Sequence, residues 1–243
     1  MKEIKPWMGR TQLLLGDEAL TKLINKNVLI VGLGGVGGIC AEMIARSGVG
    51  KMTIIDTDIV EASNRNRQIV ALKSTEGKLK SDILKERLLD INPELELTSL
   101  PMYLTGTDRF QVLTSQKFDF AIDCIDTLSP KVFFLLACLQ MNIPVVSSMG
   151  AGGKVDPTQV TVMDISETYN CNLAKYVRKK LRYYGIRDGL KVVFSPEQAD
   201  KSKIIATPEE TRKKSVIGTM SYMPAVFGCT CASVCIRHLY ESE

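Results

Sequence analysis

Three glycines, Gly32, Gly34 and Gly37, stand at GxGxxG spacing in the run Gly32-Leu-Gly-Gly-Val-Gly37, directly after the apolar stretch Asn27-Val-Leu-Ile-Val31. Glycines between a strand and a helix permit a tight turn, and they let backbone N–H groups approach a phosphate at the helix N-terminus. Gly35 shortens the loop's side chains further. Asp56 follows 19 residues after Gly37, at the end of a second apolar run, where a carboxylate can accept hydrogen bonds from ribose hydroxyls. These residues bind a nucleotide, and an NAD-dependent dehydrogenase would present the same glycines and the same acid.

The stretch beyond Asp56 separates the two cases. Asp58, Asn64, Arg67, Gln68 and Lys80 supply a second carboxylate, two amides, a guanidinium and an ammonium near the expected phosphate position. NAD requires none of them. A triphosphate does, because Arg and Lys offset the charge of the outer phosphates while a carboxylate holds magnesium. Asp123-Cys-Ile-Asp126 closes a later apolar run and would bring a further pair of carboxylates to the same crevice, with Asp126 as the magnesium ligand. A strand-end or helix-capping role is the alternative for Asp123.

The elements that must position these groups alternate. Strands are expected at 27–31, 52–56, 95–100, 118–123 and 144–148, with helices through residue 45 and over 78–91 and 131–141. Alternation of this kind predicts an α/β fold, a Rossmann-like doubly wound and mostly parallel sheet. Residues 159–164 read as an additional strand in an antiparallel sense, 172–183 as a basic helix, 196–214 as a mobile polar loop, and 218–240 as a packed terminal helix. Residues 1–243 are expected to form one ATP-binding domain, with a core over 25–150 and a substrate-side extension over 151–243.

Of the 243 residues, 45% are hydrophobic and 24% charged, an ordinary globular composition. No apolar run reaches the roughly 18 residues that span a bilayer, and the start of the chain lacks a signal-peptide pattern. Seven cysteines, scattered through apolar segments, suit a reducing compartment; the expectation is a cytoplasmic protein with no membrane association. Cys229, Cys231 and Cys235 do not form the paired CxxC units of a structural zinc site. The net charge of +4 is unevenly spread: residues 171–214 hold 12 Lys and Arg against 5 Asp and Glu. The run from Lys175 to Arg187, followed by Arg212, Lys213 and Lys214, is either a solvated basic face or a track for a phosphate backbone, with Tyr183 and Tyr184 available for stacking.

The glycine loop, the stretch Asp56 to Gln68, Lys80 and the Asp123-Cys-Ile-Asp-Thr127 segment resemble the adenylating domain of the E1-like family over roughly residues 8–150. Within that family the chain is most similar to the branch that dehydrates threonylcarbamoyladenosine in tRNA. This similarity rests on Arg46-Ser-Gly-Val-Gly50, Asn64-Arg-Asn-Arg-Gln68, Ile91-Asn-Pro93, Gly150-Ala-Gly-Gly-Lys-Val-Asp-Pro157 and Val193-Phe-Ser195, extending it to about residue 197. The resemblance implies that Gly32, Gly34, Gly35, Gly37, Asp56 and Asp58 hold the nucleoside, and that Asn64, Arg67, Gln68 and Lys80 address the triphosphate of ATP. It implies Mg2+ on Asp126, Arg10 reaching a γ-phosphate across a homodimer, and a monovalent cation, Na+ or K+, on the carbonyls of Gly150–Gly153. A sulfur-relay protein joins tRNA among the partners it implies. With tRNA as substrate, Lys179, Lys180 and Arg182 become RNA-binding residues. The competing reading within the family is an adenylyltransferase that activates the C-terminal glycine of a sulfur-carrier protein. A nucleotide-sensing protein that binds ATP without turnover is a further alternative. Cys171, near the substrate side, is expected to be an incidental thiol rather than a nucleophile.

Overall fold

The computed structural model describes residues 3–104, 106–200, 202, 204–206 and 215–241. In chain order its elements are α1 (Gly9–Ile24), β1 (Asn27–Val31), α2 (Gly35–Arg46), β2 (Lys51–Ile55), α3 (Lys80–Ile91), β3 (Glu96–Leu100), α4 (Asp108–Ser115) and β4 (Phe120–Asp123). There follow α5 (Leu128–Gln140), β5 (Val145–Ser148), β6 (Thr161–Asp164), α6 (Asn172–Tyr183), β7 (Lys191–Phe194), β8 (Ile204–Ala206), β9 (Ser215–Ile217) and α7 (Tyr222–Glu241).

Seven strands form one sheet in the order β3-β2-β1-β4-β5-β7-β6, parallel throughout except for β6, which runs antiparallel to β7. This is the expected α/β architecture. Each position of β1 is buried, and a strand covered on both faces must read as a continuous apolar run, as Asn27-Val-Leu-Ile-Val31 nearly does. The exception, Asn27, donates through its side-chain amide to the Lys117 carbonyl at 2.7 Å, and its backbone N–H donates to Asp119. One face of the sheet is covered by α2, α3 and α7, the other by α4, α5 and α6.

The chain winds outward from β1 through β2 to β3, then returns to place β4 on the other side of β1. Strand direction of travel therefore reverses between β1 and β4, and the crevice outside their C-terminal ends is the expected ligand position in open α/β sheets. Several elements differ from the sequence reading. Strand β7 was missed because its four residues begin with the exposed Lys191 and sit in a charged context. Helices α1 and α4 carry weak periodicity; α1 is also broken at Gly16, with φ 82° and ψ 166°, and exposes Leu13 and Leu14. Part of the segment expected to be a loop, 196–214, forms β8, which pairs with β9; residues 207–214, including Arg212, Lys213 and Lys214, lie outside the described residues.

At the crevice the backbone leaves no room for side chains. A Cβ on Gly37 would sit 1.7 Å from the Gly32 carbonyl oxygen, and one on Gly32, whose φ is +89°, would sit 2.7 Å from the Cys124 carbonyl oxygen. Gly228 of α7 is equally confined, 2.5 Å from the Val36 carbonyl, which sets how closely α7 lies on α2. Replacing Gly37 with Ala should lower stability by about 3 kcal/mol through backbone displacement, a fall in Tm of about 6–12 °C. Thermal unfolding followed by circular dichroism checks this, and an unchanged Tm would show that the loop relaxes freely.

Candidate functional site

The turn after β1 is tied to β2 and β4 by backbone bonds: Gly32 N–H donates to the Ile55 carbonyl at 2.9 Å, and Cys124 N–H donates to the Val31 carbonyl at 2.8 Å. Gly34 caps α2 and brings no side-chain acceptor to the helix's first turn, so those amides and the helix dipole face the crevice. Asp56, just past β2, accepts from Leu33 N–H through Oδ2 at 2.6 Å and from Asp58 N–H through Oδ1 at 2.7 Å. Each oxygen retains lone-pair capacity beyond its amide. Burial pushes the Asp56 carboxyl above its ordinary range, against the pull of those two amides and of the Lys80 charge; the Asp58 charge adds to the rise.

Lys80 opens α3 and is 5% exposed, yet its ammonium reaches the half-open carboxylate of Asp58 at 2.9 Å. The backbone repeats the link, with Lys80 N–H donating to the Asp58 carbonyl at 3.0 Å. A buried ammonium paired with a solvent-facing carboxylate can exchange that partner for a phosphate oxygen without being moved.

Asn64, Arg67 and Gln68 lie on a short helical turn and the residues after it, closed by Gln68 N–H donating to the Asn64 carbonyl at 2.9 Å. Asn64 is buried and accepts from Glu61 N–H at 3.2 Å. The Arg67 guanidinium rests on the Ser63 carbonyl at 2.9 Å and the Asn66 amide oxygen at 2.8 Å. Gln68 is 8% exposed; its Nε2 lies beside Gly34, and its Oε1 is buried with no protein partner. An unpaired buried acceptor at the edge of a glycine loop is costly and calls for a donor, such as a hydroxyl or a water. The structure thus gathers Gly32, Gly34, Gly35, Gly37, Asp56, Asp58, Lys80 and Gln68 around one crevice, with Asn64 and Arg67 on the adjoining turn.

Asp126 is exposed beyond the end of β4, followed by Thr127 at the start of α5. Asp123 does not join it. Its side chain is fully buried, with Oδ2 accepting from Lys131 Nζ and Ser147 Oγ, each at 2.6 Å, and Oδ1 accepting from Ile125 N–H at 3.0 Å. The expected pair of crevice carboxylates is therefore corrected to Asp126 alone, and Asp123 is a strand-end acid that fixes the turn leading to Asp126. Burial pushes its carboxyl up while the Lys131 ammonium pulls it down. Lys131 went unnoticed in the sequence, although a single charge in the apolar helix Leu128-Ser-Pro-Lys-Val-Phe-Phe-Leu-Leu was the available signal.

Arg10 stands apart, exposed in the first turn of α1, which packs against α7. Lys179, Lys180 and Arg182 are exposed on α6. Cys171 is 8% exposed at the start of α6, with its sulfur 3.9 Å from where a Cβ on Gly150 would lie. In the Gly150–Gly153 loop, Gly153 N–H donates to the Gly218 carbonyl at 2.8 Å, and the next residue, Lys154, is buried with its ammonium on the Glu197 carbonyl at 2.5 Å. Burial pulls the Lys154 ammonium down. The described residues contain no cluster of three or more His, Cys, Asp or Glu suited to a metal, and no described helix is long and apolar enough to cross a membrane.

The model of the ThiF family matches residues 9–243. The tRNA threonylcarbamoyladenosine dehydratase of Bacillus subtilis (strain 168) is 44% identical over 189 residues, covering 78% of this chain and 74% of its own. The Escherichia coli (strain K12) protein of the same name is 37% identical over 196 residues, covering 78% and 73%. Among solved structures, the E. coli tRNA N6-threonylcarbamoyladenosine dehydratase in complex with ATP superposes with a TM-score of 0.87 at 32% identity, covering 96% of this chain and 93% of the other.

The buried Asp123–Lys131 pair is a stringent test of the site's foundation. Lys131→Met leaves a carboxylate buried without its counter-charge and should cost about 3–5 kcal/mol in urea unfolding, whereas Asp123→Asn combined with Lys131→Met should recover part of that loss. A double-variant loss equal to the sum of the separate Lys131→Met and Asp123→Asn losses would show that the two side chains act independently.

Proposed function

The chain belongs to the ThiF family, and from that premise we propose that it is an ATP-dependent tRNA threonylcarbamoyladenosine dehydratase. The observation that carries this reading is the crevice itself. Pinned Asp56, the Lys80–Asp58 pair and the unsatisfied Gln68 amide surround a glycine loop, on a fold shared over 96% of the chain with a dehydratase solved with ATP.

In this reading Gly32, Gly34, Gly35 and Gly37 admit the phosphates to the N-terminus of α2, and Asp56 accepts the ribose hydroxyls. Asn64, Arg67, Gln68 and Lys80 address the triphosphate. Arg10 reaches the γ-phosphate of the other subunit's ATP in a homodimer, which its exposure on α1 allows. Magnesium fits a single exposed carboxylate, Asp126, because this ion completes its shell with phosphate oxygens and water; when bound it offsets triphosphate charge. A monovalent cation on the Gly150–Gly153 carbonyls belongs to the same proposal, supported by the bonds that fasten that loop to Gly218 and Glu197.

The substrate's free carboxylate is a poor electrophile, since oxide would have to leave. One of its oxygens attacks the α-phosphorus of ATP while the bond to pyrophosphate breaks, giving an acyl-adenylate. A nitrogen of the same modification then attacks the acyl carbon, AMP departs with that oxygen, and the nitrogen's proton passes to solvent. The modification closes into a ring with net loss of one water. Arg67 and Lys80 stabilise the charge that builds on the phosphates, and positioning supplies most of the remainder. No enzyme nucleophile is required, in keeping with the burial of Cys171. Lys179, Lys180 and Arg182 contact the RNA backbone, and a cytoplasmic location and a sulfur-relay protein as a further partner belong to the same reading.

Incubating tRNA that carries threonylcarbamoyladenosine with the protein, ATP and magnesium should remove one water from the modified nucleoside, read by mass spectrometry. Arg67→Ala should lower the rate at least about 100-fold, on the scale of losing one charge-stabilising group. An unchanged nucleoside despite ATP binding would shift the assignment to a protein C-terminus as substrate. Cys171→Ser should form product at close to the parent rate, and its inactivity with ATP binding intact would reinstate an enzyme thiol.

A further inference from the structure

Helix α6 buries Ala174, Val177 and Leu181 against α5, and it folds Arg178 inward onto the carbonyls of Ile165 and Thr168 and onto the Thr168 hydroxyl. What remains outside is ordered by helical geometry. Tyr176, Lys179, Lys180 and Tyr183 stand at i, i+3, i+4 and i+7, a single stripe in which two rings enclose two ammonium groups. Tyr176 is 53% exposed and Tyr183 is 81% exposed.

The aromatic surface continues past the helix end. Tyr183 meets Tyr184 with centroids 5.1 Å apart at 88°, Tyr184 meets Phe133 of α5 at 6.1 Å, and the Arg109 guanidinium of α4 lies 5.1 Å over the Phe133 ring. A band of exposed rings bounded by cations thus runs across three helices. Both α5 and α6 start at the C-terminal edge of the sheet, the edge on which the crevice lies. Helix α5 begins two residues after Asp126, with Phe133 about 8 Å along its axis, and α6 begins at Cys171 against Gly150.

Contiguous exposed rings mark a contact surface, and the charges between them select the partner. Residues 172–187 hold six basic and no acidic residues. Alternating flat rings and ammonium groups match a chain that alternates bases and phosphates, which is the composition of single-stranded nucleic-acid sites. A paired stem would engage the charges but could offer no open base faces to the rings.

We propose that this α4–α5–α6 band is a stacking platform for the unpaired nucleotides next to the one in the crevice. The inference rests on the tRNA reading above and adds to it: the backbone charges hold the RNA, and the rings select a loop over a stem.

The test compares binding of a hairpin RNA with an open loop and a fully paired duplex of equal length, by fluorescence anisotropy over a range of salt. Tyr183→Ala with Tyr184→Ala should weaken hairpin binding roughly ten-fold at every salt concentration, while Tyr183→Phe with Tyr184→Phe keeps it. Duplex binding should barely respond to either pair. Lys179→Ala, Lys180→Ala and Arg182→Ala together should instead flatten the salt dependence for both RNAs. Hairpin binding at parental strength by the double alanine variant, in a preparation that still removes water from modified tRNA, would overturn the platform and leave the dehydratase reading standing. A parent protein that binds neither RNA and leaves the nucleoside unchanged would remove both.

Discussion

Just past the ends of β1 and β4 the backbone packs so closely that neither Gly32, against the Cys124 carbonyl, nor Gly37, against the Gly32 carbonyl, can carry a Cβ. Much of the molecule is arranged by that approach. It brings the N-terminus of α2 over the sheet edge and turns Leu33 N–H toward Asp56, so this carboxylate is oriented by the same turn that would receive the phosphates. It also fixes the Cys124 carbonyl, and through it the short path to Asp126. On the outer side, Pro224 lies 2.8 Å from where a Cβ on Gly35 would be, and Gly228 lets α7 close on α2. The loop is therefore held from beneath by strands and from behind by a helix, a rigid cradle rather than a flexible lid.

Two lysine–aspartate pairs flank this cradle, and their exposure assigns them different work. Asp123 and Lys131 are both fully buried, and Ser147 and Ile125 N–H complete the carboxylate's shell. Such a pair, with no surface open to solvent, is closed to a ligand; its effect is to lock the turn after β4. Asp58 and Lys80 are asymmetric, with the ammonium buried and the carboxylate 55% exposed. Solvent can take over the carboxylate, which leaves the ammonium available to an incoming anion. A salt bridge open on its acidic side behaves as a held cation, and that is the form of lysine a triphosphate site requires.

The parts of this arrangement that depend on adjacent residues were visible in the sequence. The glycine spacing, the buried run of β1 and Asp56 at the end of β2 are local patterns that stand within a residue of their expected places, and α3 starts at Lys80, two residues later than its periodicity suggests. What was hidden depends on residues far apart. Asp123 and Asp126 look alike in sequence; only the arrival of Lys131 eight residues later and Ser147 from the next strand decides that one turns inward. Strand β7 reads as a short charged segment until β5 and β6 flank it. Helix α1 shows Leu13 and Leu14 to solvent and buries only Leu20, Leu23 and Ile24 beyond its break at Gly16, so no single apolar stripe runs its length.

The basic segment shows how structure divides a charge run that composition treats as uniform. Arg178 is spent internally, bonded to the Ile165 and Thr168 carbonyls, while Lys179 and Lys180, one and two residues on, face outward between tyrosines. A helix that only needed solubility would have no reason to place rings at both ends of its charged stripe, because each exposed ring forfeits favourable burial. The stripe starts one turn into α6, a helix that itself starts at the sheet edge bearing the crevice, so in the tRNA reading charge and rings continue the binding surface along that helix. A substrate reaching only the crevice, such as a narrow peptide tail, would leave that extension unused, whereas a folded RNA presenting one nucleotide to the ATP would cover both.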